Sequence, residues 1–327
     1  MQFVLKPDPS LGPEDFPDDT RQLMDASPQT LALDDAFKLQ GNVMRVMRIK
    51  TGHFTINCHI NTFSPGDRLF VMFHGARKSV PGETRPLFMR TNWSSLYPGP
   101  VLSLSDPQTE ADWGSNHPRA GLYIGTFKND LVPEINALVN KFCDELGIAR
   151  DRVVYYGSSA GGGAALLAGG RRPEGCGVIA VCAALRTDNF RPPMIKAASQ
   201  VAGGTPEDWE AMRRQTPERC QPLTAIEYGV KHNPKSRFVV AQCVEDLPGV
   251  NKHFKSLLQT FQIASPQGGM SADHRVLALT YSSEVGHGRE PSDLCRPLLK
   301  ATLDFLDGKF DGEPAQATAT TAVAATA

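Results

Sequence analysis

Residues 152–170 read RVVYYGSSAGGGAALLAGG, and the fold turns on this stretch. It opens with an apolar, β-prone run and ends in small residues that a tightly packed helix can hold. Between them lies Gly157-Ser158-Ser159-Ala160-Gly161, a G-x-S-x-G pattern. In a chain with 29 glycines the pattern alone is weak; the strand before it and the helix after it give it content. A nucleophilic serine on a sharp strand-to-helix turn needs flanking glycines, because a Cβ there crowds the neighbouring backbone. Its Oγ then stands above the sheet beside a helix N-terminus, where developing negative charge is stabilised. The bland alternative is a glycine-rich phosphate turn or plain packing, but the stretch has no P-loop lysine and no G-x-G-x-x-G pattern.

Outward from this stretch, short apolar runs alternate with helical patterns. Val43 to Ile49 and Phe54 to Ile60 resemble a pair of antiparallel strands. Leu69 to Phe73, Val101 to Leu104, Val153 to Tyr156, Val178 to Cys182, Phe238 to Ala241 and Val276 to Tyr281 are nearly continuous in apolar residues, as strands buried on both faces must be. Leu131, Ile135, Leu138, Val139, Phe142 and Leu146 share one helical face, with Asn129 or Asp130 as cap and Pro133 in the first turn. Further helices are expected over Phe254 to Phe261 and Leu294 to Leu306. The alternation predicts an α/β fold, a mostly parallel central sheet with helices on both faces. Residues 1–40, rich in Pro and Asp, read as an extended arm, 41–310 as the catalytic domain, and 311–327 as a disordered Ala/Thr tail. The stretch 186–232 breaks the rhythm. It reads either as a helical insertion that lids the site or as an ordinary connection.

With these motifs in this order, the chain resembles the α/β-hydrolase superfamily over roughly Val43 to Leu306, with no single family within it singled out. The resemblance implies that the loop after Leu69 to Phe73, His74-Gly75-Ala76-Arg77, supplies one oxyanion N–H from Ala76 and that Ala160 supplies the other. His74 is then a structural histidine of that turn, and the plainer alternative is that the whole loop is a tight turn and nothing more. The resemblance puts the base late, after the last strand. There His287 stands between glycines in SSEVGHG, a position poorly explained by core packing; the alternative is an exposed loop histidine. The acid is expected between Ser159 and His287 in the chain, with Asp246 as first choice and Glu245 and Asp188 as competitors.

Together these residues predict a serine hydrolase with a Ser159–Asp246–His287 triad that forms an acyl-Ser159 intermediate, most simply an esterase of small or compact acyl esters. The same triad serves an O-acyltransferase that acylates a sugar or alcohol hydroxyl, and a second alternative is a non-catalytic binding protein on a hydrolase fold. The expected substrate is a small-molecule or carbohydrate ester, with no cofactor and no metal. Net charge is −1 from 34 basic and 35 acidic residues, which argues against a nucleic-acid partner. The longest apolar run, Val178 to Leu185, is too short to span a membrane, and MQFVLKPDPS lacks a secretory signal's pattern. Seven scattered cysteines without CxxC spacing suggest a reduced, cytoplasmic protein. Phe88, Trp93, Trp113, Phe127 and Phe190 lie in loops where they line a pocket or pack.

Overall fold

A computed structural model describes residues 3–8, 10, 28–35, 37, 39, 41–76, 86–110, 120, 122–288 and 290–310. The tail expected over 311–327, most of the arm expected over 1–40, and Trp113 lie outside these residues. The strands are β1 (Thr30–Ala32), β2 (Met44–Lys50), β3 (Thr55–Asn61), β4 (Leu69–Phe73), β5 (Val101–Leu104), β6 (Val153–Ser158), β7 (Gly177–Val181), β8 (Arg237–Cys243), β9 (Gly269–Met270) and β10 (Val276–Tyr281). They form one sheet in the order β1-β2-β3-β5-β4-β6-β7-β8-β10-β9. Pairing is parallel from β5 through β4, β6, β7 and β8 to β10, and antiparallel at β2–β3, β3–β5 and β9–β10.

The helices are α1 (Leu131–Leu146), α2 (Ala160–Gly170), α3 (Pro192–Val201), α4 (Pro206–Gln215), α5 (Pro222–His232), α6 (Leu247–Gly249), α7 (Lys255–Thr260) and α8 (Cys295–Leu306), with a π-helical turn, Val250–Phe254, joining α6 to α7. Alternate strand residues face two separate cores. Leu69, Val71 and Phe73 join Val153 and Tyr155 under α1, α2 and α5, while Phe70, Met72, Val154 and Tyr156 pack with Leu298, Leu299 and Phe305 of α8. This two-sided burial is why the central runs lack a polar alternation. Asp130 caps α1 by accepting from Val132 N–H at 3.1 Å, and Gly147 ends it at φ 66°.

Three features add to the expected outline. Strands β1 and β9 are too short and mixed to carry a period-two pattern, and both sit at sheet edges. Within the arm, Leu5 N–H donates to Thr280 O at 2.7 Å, so the described start of the chain pairs with β10. Finally, within 186–232, which the sequence left open between an insertion and a connection, α5 packs on α2, where a Cβ on Gly170 would lie 2.1 Å from Ala225 O. That makes α5 the crossover helix between β7 and β8, and leaves α3 and α4 as the added part.

Candidate active site

Strand β6 ends at Ser158 and α2 begins at Ala160, so Ser159 alone makes the turn. Its φ of 56° and ψ of −122° are strained for a residue with a side chain, at about 1–3 kcal/mol. The backbone holds it there: Ser159 N–H donates to Val181 O at 2.8 Å, and Ser159 O accepts from Gly163 N–H at 3.1 Å. The two motif glycines are required by contact. A Cβ on Gly157 would lie 2.1 Å from Gly161 O, and one on Gly161 would lie 2.5 Å from Phe73 O. The turn is thus pressed against the end of β4.

The loops after β8 and β10 reach the same place, at the carboxyl ends of the strands where α/β sheets bind ligands. Ser159 Oγ lies 2.9 Å from His287 Nε2, and His287 Nδ1 lies 2.8 Å from Asp246 Oδ2. An ionised carboxylate only accepts, so Nδ1 carries the proton and Nε2 faces Ser159 as an acceptor. Asp246 is almost fully buried (side chain 4% exposed), whereas His287 is open (54%). Burial raises the Asp246 carboxyl, but hydrogen bonds from His287, Gly249 N–H and the Gln242 carboxamide outweigh it and leave the group below its ordinary value.

The two other acid candidates are engaged elsewhere. Glu245 accepts from Ser282 Oγ at 2.5 Å and Ser283 N–H at 3.0 Å, and hydrogen bonds from Ser282, Ser283 and Cys243 pull its carboxyl down to about 2. It therefore fastens the start of the His287 loop. Asp188 pairs with Arg186 two residues away.

His74 is held by two bonds: its Nδ1–H donates to Gly75 O at 2.7 Å and its Nε2 accepts from Asp106 N–H at 3.1 Å. It shapes the loop that presents Ala76. Ala76, Ala160 and Ser159 line one cavity of about 870 Å³ together with His287. As the first residue of α2, Ala160 has an N–H without a partner in the helix. Of the aromatic loop residues, Phe190 lines the cavity. Phe88 and Trp93 are buried in the core and Phe127 packs against it, so apolar loop residues here serve packing more than the site.

A buried ion pair behind the serine escaped sequence reading. Glu290 accepts from Arg90 Nε at 2.9 Å, Arg90 Nη2 at 2.8 Å, Ser158 Oγ at 2.7 Å and the Tyr156 hydroxyl. Arg90 and Glu290 are 0% and 1% exposed, and the guanidinium lies 4.4 Å from the Tyr156 ring centre. Arg90 itself has φ 60°. Because Glu290 follows His287 by three residues and Ser158 precedes Ser159, the pair ties the histidine loop to the serine turn. The available signal was a carboxylate just past the histidine, too common in loops to single out.

All seven cysteines are buried, and burial pushes several thiols up, Cys58 to about 12. Among the described residues no helix is long and apolar enough to cross a membrane.

No protein-family model matches the chain, and no curated protein matches it by sequence. Solved structures match by shape. Puromycin hydrolase superposes with a TM-score of 0.53 at 16% identity, over 83% of this chain and 40% of that one. An acylaminoacyl peptidase from Pyrococcus horikoshii gives 0.50 at 14%, over 86% and 43%. The capsule O-acetyltransferase of Neisseria meningitidis serogroup A, in complex with CoA, gives 0.50 at 11%, over 82% and 98%. The chain thus spans less than half the length of the first two and nearly all of the third. What these likenesses share with the sheet order and the serine turn is architecture: the chain has the α/β-hydrolase fold.

Proposed function

We propose that the protein is a serine hydrolase that transfers acyl groups through an acyl-Ser159 intermediate, most simply as an esterase of small or compact acyl groups. The single observation that carries this is the hydrogen-bonded series Ser159 Oγ, His287, Asp246, with the serine on a strained turn. Ser159 Oγ attacks the acyl carbonyl while its proton passes to His287 Nε2. The N–H groups of Ala76 and Ala160 receive the oxyanion, each worth about 3–4 kcal/mol in such sites. His287 then gives the proton to the departing alkoxide, leaving acyl-Ser159 and free alcohol. Water attacks the acyl group, its proton goes to His287, and Ser159 recovers that proton as the acid leaves. Asp246 holds the histidine tautomer and stabilises the imidazolium that forms at each proton transfer. A cavity of about 870 Å³ lies in the range of small-molecule sites, with room for an acyl group and its alcohol.

A second reading, O-acyl transfer to a sugar or alcohol hydroxyl, uses the same residues with that hydroxyl in place of water. It is favoured by the capsule O-acetyltransferase, which this chain matches over 98% of its length. Turnover of p-nitrophenyl acetate tests the shared chemistry. The expected result is a p-nitrophenol burst equal to the enzyme present, abolished in Ser159→Ala. No burst and no turnover contradict the acyl-enzyme. Faster p-nitrophenol release on adding alcohols or sugars, with acylated products, selects the transferase.

A further inference from the structure

The lining of the cavity beside Ser159 includes the apolar residues Phe190, Met194 and Val201 and the basic residues Arg191, Lys252 and His253. The basic residues come from two segments far apart in the chain. Asn189, at the lead-in to α3, donates its carboxamide N–H to Lys252 O at 3.0 Å, which fastens the Arg191 segment to the π-helical turn carrying Lys252 and His253. A π-turn inside a helix commonly marks a functional surface, because it redirects side chains that a regular helix would place elsewhere.

Arg191 and Lys252 are exposed cations, and neither has a carboxylate partner among the described residues: Asp188 is taken by Arg186, and Asp246, which also lines the cavity, by His287. His253 Nδ1 accepts from Arg186 N–H at 3.3 Å, so its other nitrogen carries the hydrogen. Burial holds His253 below its ordinary value, so it stays a neutral donor. Two cations without a carboxylate partner, beside an imidazole N–H, suit a carboxylate or phosphate better than a neutral polar group.

We infer that the cavity is a subsite for an ester bearing an anionic group, carboxylate or phosphate, which Arg191 and Lys252 hold while the ester lies against Ser159. This rests on the acyl-transfer reading and adds a substrate class to it. An exposed charge pair is screened by salt, so the preference should weaken as ionic strength rises.

Two matched substrate pairs test it and tell which side of the ester carries the anion. On the acyl side, p-nitrophenyl monoadipate is compared with its ω-methyl ester. On the alcohol side, 6-acetoxyhexanoate is compared with its methyl ester. The expected result is that the anionic member of one pair is favoured in kcat/KM by about tenfold, the scale of one charge-assisted hydrogen bond. That ratio should fall towards one in Arg191→Gln/Lys252→Gln and in 1 M NaCl. The readout is a ratio within each enzyme, so a general loss of fold or of catalytic efficiency does not mimic it. A ratio near one in both pairs for the unaltered protein overturns the inference, as does a preference that survives the double substitution. If the neutral esters are turned over and Ser159 is acylated, only the anion subsite has failed. If no ester is turned over and Ser159 stays unmodified, the acyl-transfer reading has failed and the subsite with it.

Discussion

Glu290→Gln removes one charge from the pair behind the serine while keeping the side chain's shape. In the native protein the carboxylate takes two hydrogen bonds from Arg90, one from Ser158 and one from Tyr156, with both charged side chains essentially without solvent. The glutamine leaves the guanidinium buried and uncompensated and turns an N–H₂ towards donors. Breaking a buried pair from one side costs about 3–5 kcal/mol. At about 2–3 °C per kcal/mol for a chain of this size, the melting temperature should fall by roughly 6–15 °C. Urea unfolding of the native and substituted proteins measures the same difference. The direction with pH is also set. Burial raises the Glu290 carboxyl, yet the Arg90 charge and the hydrogen bonds leave it below its ordinary value. Its contribution is therefore complete above the ordinary carboxylate range and is lost as pH falls through the folded value, so the two proteins should converge in acid. Arg90→Met/Glu290→Leu, which removes both charges, should cost less than Glu290→Gln alone. A loss under about 1 kcal/mol for Glu290→Gln, the size of an exposed pair, would refute the reasoning, as would a double variant less stable than the single.

Three further outcomes follow from the site. Asp246→Asn should retain the fold and lower kcat by roughly 10⁴ through the wrong histidine tautomer, while Asp188→Asn should cost less than about tenfold; steady-state kinetics on p-nitrophenyl acetate separate them. Gly161→Ala places a Cβ 2.5 Å from Phe73 O and 2.7 Å from His74 O, so it should destabilise by about 1–3 kcal/mol and slow acylation by displacing the Ala76 loop, read by melting temperature and burst rate. Glu245→Gln should lower stability at neutral pH, since the native carboxyl sits at about 2 against an ordinary 4.5. That deficit is constant above the ordinary value and shrinks as pH falls towards about 2, which unfolding curves across the acid range would show.

The parts of this molecule that can be read from its sequence are those where a local pattern meets a single physical demand. Strands β4, β5 and β10 begin and end as expected, because their runs are buried on both faces and bounded by polar turns. Helix α1 carried both a stripe and a cap. The strand-to-helix turn at Ser159 was legible because two glycines flank it for a steric reason. Which carboxylate stands against His287 was harder to read, since Glu245 is a neighbour of Asp246 and Asp188 also follows a strand; only the side-chain directions separate them. The Arg90–Glu290 pair was invisible, as its members stand 200 residues apart and each looks like a surface charge. For Phe88 and Trp93 the sequence left pocket lining and packing open, and both are buried core residues here. The sequence left 186–232 open because α5 resembles its neighbours in composition, and only its small-residue contact with α2 marks it as part of the main layer.

The most direct test of acyl chemistry at Ser159 is intact mass after treatment with a fluorophosphonate, followed by peptide mapping. The expected result is one phosphonyl adduct per chain, located on Ser159, and no adduct in Ser159→Ala, whereas Ser158→Ala still labels because its hydroxyl is spent on Glu290. An unlabelled native protein, or an adduct that persists in Ser159→Ala or maps to Ser158, contradicts the account.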